Sequence, residues 1–336
     1  MNANPKPRLD RESVFREQLL AWYDAHAREL PWRQRPTARK PGDPYRVWVS
    51  EIMLQQTRVA AVIEHYHEFL RRFPTVQKLA GAREASVLAA WSGLGYYRRA
   101  RMLHSAAKIV VWQRDGEFPT TAAEWWELPG IGRYTAAAIA SIAFGEDVAV
   151  VDGNVERVLQ RFSGERISGE DLWRAAEDLL DRARPGDFNQ AMMELGATVC
   201  TPRAPACLTC PVVDLCATRG ELPDADKAAK QKKREIHYAL SLRDGEVFLV
   251  RRARDASLMA GMWELPEISR PGRHSKSAFT VRHSITVTDY TAHVWRESAP
   301  DGASGKWVAL GKLAKVAMTG LARKILRKVA RDSDRV

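Results

Sequence analysis

The chain has 336 residues, enough for two or three domains that each bury a core. Hydrophobic residues at 45% and charged residues at 28% are ordinary for a soluble globular protein. No apolar run approaches the ~20 residues of a membrane span, and the polar start from Met1 to Asp10 lacks the apolar stretch of a signal peptide, so a cytoplasmic, nucleoid-associated setting is expected. The charge balance is less ordinary. A surplus of 52 Lys and Arg over 41 Asp and Glu, net +11, favours a polyanionic partner, nucleic acid before membrane. Charge alone leaves a merely soluble basic protein equally open.

Residues 10 to 215 read as mostly helical. A first helix is expected from Arg11 to Arg28, ending before Pro31, and 33–42 form a Pro- and Arg-rich loop. Asp43 and Pro44 place an N-cap and an N1 proline at the start of a second helix, which carries Val47, Trp48, Glu51, Ile52 and Leu54 at helical spacing. The break Gln55–Thr57 leads to a third helix, Val59 to Arg72, stopped at Pro74. Thr121 with Glu124 makes a capping box for a helix cut short at Pro129. The charged stretch 217–235 reads as a linker. Beyond it the period becomes two. Tyr238–Leu242, a turn at Asp244–Gly245 and Val247–Val250 form a hairpin signature, with further strand-like pieces at Ile285–Val287, Ala292–Trp295 and Trp307–Leu310. A basic amphipathic helix, Ala317–Ala330, closes an α+β domain that is expected to start near residue 236.

Five segments carry residues with chemistry to offer. The four cysteines fall at Cys200, Cys207, Cys210 and Cys216, within one short loop. Such clustering points to metal, either Zn²⁺ or an iron–sulfur cubane, and the spacing leaves that choice open. Leu128-Pro-Gly-Ile-Gly132, followed by the small-residue run after Tyr134, reads as a helical hairpin whose Gly130 and Gly132 permit a tight turn. The exposed amides of its second helix are a seat for phosphate. Asp152 stands just before a helix, as an N-cap or as a carboxylate able to stabilise a cation. Glu51 sits among apolar neighbours, and its residue type alone places it on a solvated face; desolvated, it would serve as an acid. The turn Trp91–Arg99 mixes aromatics with arginines, either to stack on bases or to cap a helix end.

Taken in order, the segments 30–33 (LPWR), 49–57 (VSEIMLQQT), 93–100 (GLGYYRRA), 128–141 (LPGIGRYTAAAIAS), 151–158 (VDGNVERV), 189–197 (NQAMMELGA) and the four cysteines resemble MutY-type adenine DNA glycosylases. These belong to the helix-hairpin-helix superfamily that also holds endonuclease III. The resemblance implies an all-α helix-hairpin-helix glycosylase core over 1–216, with a six-helix domain at about 44–148 and an iron–sulfur domain from 1–43 and 149–216. A linker (217–235) and a smaller α+β MutT-like domain (236–336) would follow. It implies a [4Fe–4S] cluster on the four cysteines, and a monomer acting on double-stranded DNA with adenine opposite 8-oxoguanine or guanine.

The same resemblance implies roles for single residues. Glu51 matches the general acid that protonates the extruded adenine, Asp152 the carboxylate that stabilises the oxocarbenium sugar, and Tyr134 a hydrogen-bonding partner of that site. Gln56 and Tyr96 match residues that wedge into the base stack, and Arg28, Leu30, Trp32 and Gln190 match positions around the adenine pocket. Bifunctional relatives carry a Schiff-base lysine where this chain has Tyr134, so little strand cleavage is expected. In the C-terminal part, Gly261–Pro266 fits the MutT-like signature and Thr286 matches a hydroxyl offered to the oxidised base. Val287 stands where the family has a histidine, and the loop between Arg33 and Pro44 carries extra residues without a counterpart. Two alternatives remain: a thymine or uracil mismatch glycosylase of the same superfamily, and a non-catalytic iron–sulfur DNA-binding protein.

Overall fold

The computed structural model describes residues 11–33, 42–222, 232–253, 255–256, 259–269, 277–285 and 288–333. Residues 34–41 of the loop with extra residues, and Thr286 with Val287, lie outside the described residues. In chain order the first helices are α1 (Arg11–His26), α2 (Pro44–Leu54), α3 (Val59–Arg72), α4 (Val76–Ala80), α5 (Glu84–Ala90) and α6 (Tyr97–Gln113). They are followed by α7 (Ala122–Trp126), α8 (Arg133–Ile139), α9 (Gly153–Ser163), α10 (Gly169–Leu179) and α11 (Pro185–Thr198). Strands β1 (Lys232–Leu240), β2 (Leu242–Arg243), β3 (Glu246–Arg251), β4 (Trp263–Glu264), β5 (Phe279–Ile285), β6 (Thr288–Arg296) and β7 (Gly305–Ala309) precede α12 (Gly320–Ser333). No helix among the described residues is long and apolar enough to cross a membrane.

Two compact units emerge, Met1–Tyr66 with Ala106–Asp226, and His67–Ser105 with Lys227–Val336. The span expected as one six-helix domain, 44–148, is thus divided between them.

The first unit is helical because its apolar residues recur at helical spacing and meet in one cluster. From α1 come Phe15, Leu19 and Tyr23; from α9 Val155, Val158 and Leu159; from α10 Leu172, Ala176 and Leu179; from α11 Phe188, Ala191 and Leu195. Each large side chain buried here is worth about 1.5–3 kcal/mol over leaving it exposed. The helix starts follow the capping chemistry. Asp43 accepts from the backbone amides of Tyr45 and Arg46 ahead of α2, and Thr121 with Glu124 completes a reciprocal capping box on α7. α1 ends at His26, two residues before the expected Arg28, whose backbone and guanidinium both turn to Glu194. The hairpin between α7 and α8 needs only one of its two glycines for conformational reasons: Gly130 has φ +81°, whereas Gly132 has φ −98°.

The second unit holds two sheets. In one, β1 runs parallel to β6 and β5 antiparallel to it, in the order β1-β6-β5. In the other, β3 pairs β2, β4 and β7. The expected turn falls at Asp244 and Gly245, with φ +46° and +73°, the left-handed pair that a tight hairpin demands. The expected linker is shortened at both ends. Ala217 and Thr218 donate to the carbonyls of Phe162 and Arg161 at the end of α9, and Lys232 already pairs with Thr288 in β1. Backbone pairing decides here, because the side chains of 232–235 are exposed and leave no apolar signal. α12 begins at Gly320 and not at Ala317, since Met318 bridges to Trp263 and the Thr319 hydroxyl accepts from the Ala322 amide. Its Leu321, Ile325 and Val329 pack on Ile236, Val281 and Val294. Residues 67–105 join this unit through Tyr97, whose hydroxyl donates to the Met318 carbonyl at 2.5 Å.

Candidate active site

A cavity of about 590 Å³ in the helical unit gathers side chains from five places in the sequence. Glu51 and Gln56 come from α2 and the turn after it, Arg28, Leu30 and Trp32 from the segment after α1, Tyr134 from α8, and Asp152 with Gln190 from the α9 cap and α11. Eight of the residues singled out in the sequence therefore line one space. Gly130 and Gly132 shape the hairpin that delivers Tyr134 but do not line it. Tyr96 belongs to the other unit; it is 38% exposed and has φ +46°. Gln56 is likewise exposed and left-handed, with φ +54°. A non-glycine residue is held in that conformation at a cost of about 1–3 kcal/mol.

Glu51 corrects the reading by residue type. It does not face solvent but is 6% exposed, because α2 is buried on nearly all sides: Trp48, Val49, Ile52 and Met53 are each almost fully covered. Burial pushes its carboxyl up to about 7; a hydrogen bond from Tyr134 opposes the rise, the Asp152 charge adds to it, and Arg33 opposes it. The Tyr134 hydroxyl donates to Glu51 Oε2 at 2.9 Å and also lies 3.2 Å from Met193 Sδ. Desolvation, first, and the neighbouring carboxylates raise the Tyr134 phenol well above its ordinary value, so it is a hydrogen-bond donor and not a base.

Asp152 is the N-cap of α9 and also lines the cavity. Its Oδ1 accepts from the amides of Asn154 (2.9 Å) and Val155 (2.8 Å), capping α9, and its Oδ2 accepts from Asn154 Nδ2 at 2.9 Å. Asn154 is itself fixed by Arg157, which donates to Asn154 Oδ1 at 2.8 Å and to the carbonyls of Gly196 and Cys200. The carboxylate is therefore aimed into the cavity by three donors and a second row behind them. The approach of the chain to Asp152 is fixed too. Buried Asn189 accepts from the Val150 amide and donates to the Val148 carbonyl and to Ser141.

Sequence reasoning missed Glu194. Only 1% of its side chain is exposed, yet it lines the cavity and binds two arginines, Arg28 Nε at 2.5 Å and Arg33 at 2.7 Å. Burial alone would raise its carboxyl, but the bonds from Arg28 and Arg33 overcome this and hold it below the ordinary value. No local signal announces the triad, since its members lie 166 and 161 residues apart.

The cysteine loop packs against the end of α9. All four thiols are free and partly buried. Arg161, 4% exposed, donates to the Thr201 and Pro202 carbonyls and approaches Cys200 Sγ at 3.4 Å. The four sulfurs act on one another electrostatically; desolvation, first, and its three neighbours push the Cys210 thiol up to about 11. Among the described residues, no three Cys, His, Asp or Glu side chains are poised around a single ion.

Residues 49–181 match the HhH-GPD superfamily of base excision DNA repair proteins. The chain is 41% identical over 316 residues to the adenine DNA glycosylase of Homo sapiens, a match that covers 76% of this chain and 58% of the human one. It is 34% identical over 318 residues to the adenine DNA glycosylase of Schizosaccharomyces pombe, covering 76% of this chain and 69% of the relative. Among solved structures, a thermostable thymine-DNA glycosylase superposes with a TM-score of 0.57 at 29% identity, over 62% of this chain and 96% of that one. The chain spans about three fifths of the length of the human relative. On these grounds it belongs to the adenine DNA glycosylase family, with a helix-hairpin-helix core.

Proposed function

We propose that this protein is a monofunctional DNA glycosylase that hydrolyses the N-glycosidic bond of adenine mispaired with 8-oxoguanine or guanine in double-stranded DNA. One observation carries the reading: a buried carboxylic acid, Glu51, and a fixed carboxylate, Asp152, line the same cavity. The adenine must first leave the stack, at a cost of a few kcal/mol. Gln56 and Tyr96, exposed and held in strained backbone, are the residues we assign to offsetting it as wedges. Inside the cavity, Glu51 gives its proton to N7 of the adenine as the bond from the sugar to N9 breaks and the electron pair leaves with the base. A carboxyl titrating near 7 is well matched to that task, and acid catalysis of this kind contributes ~10²–10⁴-fold. Asp152 stabilises the sugar cation until water adds, the division of labour between two carboxyl groups used by sugar hydrolases. Tyr134 orients Glu51 and cannot form an imine, so the strand stays intact.

Deprotonated on binding, the four cysteines would form a soft donor set that suits an iron–sulfur cluster, and the Arg161 contact to Cys200 Sγ is the kind of N–H···S bond that supports a thiolate ligand. We assign Cys200, Cys207, Cys210 and Cys216 as holders of a [4Fe–4S] cluster. When bound it would cross-link the loop that Arg157 and Arg161 tie to α9, and so brace the helix that carries Asp152. The C-terminal unit, with its α+β build, is assigned as the MutT-like part that senses the oxidised guanine through Thr286. The net charge of +11 suits a monomer that works along chromosomal DNA at the nucleoid in the cytoplasm.

The test is an incubation with three duplexes, carrying adenine opposite 8-oxoguanine, adenine opposite guanine, and thymine opposite guanine, followed by alkali. Strand breaks are expected in the first two, and only after the alkali. Breaks confined to the thymine duplex would replace this reading with that of the thymine-specific neighbour.

A further inference from the structure

Glu194 has no part in the roles assigned so far, yet it lies in the wall of the same cavity as Glu51. Arg33 is 13% exposed and Arg28 39%, and the Glu194 carboxylate between them is nearly sealed from water. Two guanidiniums beside a cavity that must hold a protonated acid are an electrostatic problem, because positive charge favours the ionised carboxylate. We propose that Glu194 is a positioning residue for the acid step: its carboxylate pins Arg28 and Arg33 and offsets part of their positive charge, so that Glu51 keeps its proton until adenine arrives. The inference rests on the glycosylase reading above and deepens it.

The groups around Glu51 can be enumerated by element. Tyr134 on α8 donates to it, Asp152 before α9 repels its charge, and Arg33 from the segment after α1 attracts it. Arg28 from that same segment and Glu194 from α11 complete the charged wall. On α2 itself, Arg46 and the capping Asp43 pair with each other at 3.3 Å. Arg33 is therefore the cation that acts against the acid, and Glu194 is the anion that holds it, through a bond at 2.7 Å. Remove the Glu194 charge, and Arg33 and Arg28 are left without their counter-ion in a site of low dielectric. The Glu51 carboxylate, which Arg33 already attracts, is then drawn toward its ionised form.

The experiment is single-turnover adenine release from the adenine:8-oxoguanine duplex, measured with the full chain across the pH range. Glu194→Gln should move the alkaline limb of the profile down by about one pH unit. Glu194→Asp should recover part of the shift, and Arg33→Gln alone should move the limb up. The Arg33→Gln change keeps the proposal testable if Glu194→Gln does not fold. A rate lowered equally at every pH by Glu194→Gln, or an unmoved limb in Arg33→Gln, would overturn the proposal while leaving the glycosylase reading intact. A wild-type chain that releases no adenine at any pH would instead overturn the reading on which it rests.

Discussion

Tyr134 donates across 2.9 Å to Glu51 Oε2, joining α8 to α2 through residues 83 apart in the sequence. The bond has two opposing effects. It orients the acid, and by favouring the ionised form it lowers the carboxyl that burial has raised. Met193 Sδ, 3.2 Å from the same oxygen, gives the phenol's single proton a second acceptor.

Loss of that hydroxyl should separate the two effects. In Tyr134→Phe the alkaline limb of adenine release is expected to move up, because the group that opposed the raised Glu51 value is gone. The plateau rate should fall by roughly tenfold, in line with the loss of one orienting hydrogen bond to a charged group. A limb that moves down, seen in a pH profile of single-turnover rates, would contradict the electrostatics described for this pair.

Asp152→Asn separates capping from chemistry. Asparagine caps a helix as well as aspartate does, so the thermal midpoint should change little. The negative charge proposed to face the sugar is lost, and adenine release should drop on the order of a hundredfold or more while duplex binding persists. Binding by gel shift and excision measured on one preparation check this directly. An active Asp152→Asn enzyme would contradict the mechanism.

The legible parts of this protein were those governed by local chemistry. Asp43 with Pro44, Thr121 with Glu124, and Asp244 with Gly245 each act within four residues, and each appears where its spacing placed it. The burial of Glu51 was not legible from its helix alone, because solvent is excluded by α2 being covered on several sides at once. Glu194 was hidden for a related reason: its partners Arg28 and Arg33 are far away along the chain, and a glutamate in a helix normally points to water. Strand β1 was missed over 232–235 because pairing with β6 needs only backbone.

The burial of Glu51 also makes a prediction about stability. The unfolded carboxyl titrates near 4.5 and the folded one near 7, so between these values only the folded chain holds the proton. The stabilisation is therefore complete below about 4.5 and is lost as the pH rises through about 7. Glu51→Gln, which stays neutral, should leave stability unchanged at low pH and raise it by about 1–3 kcal/mol above pH 7. Denaturant midpoints at both pH values decide the matter. An equal effect at the two would mean that the acid is not desolvated.

The last prediction concerns a residue far from any titration. Gly196 on α11 leaves no room for a side chain: a Cβ built there would lie 2.6 Å from Asn154 Cβ and 2.9 Å from the Asn154 carbonyl oxygen. That closeness is what lets Arg157 reach both the Gly196 carbonyl and Asn154, and Asn154 in turn supplies two of the three donors to Asp152. The contact is with backbone, which cannot swing aside, so Gly196→Ala must push α11 and the start of α9 apart. A cost of about 1–3 kcal/mol is expected from the overpacking, read as a lower thermal midpoint. Because the displaced atoms hold the carboxylate, excision should fall further than stability alone explains, even at temperatures where the variant is fully folded. A variant as stable and as active as the wild type would show that the close approach of these two helices is not what aims Asp152.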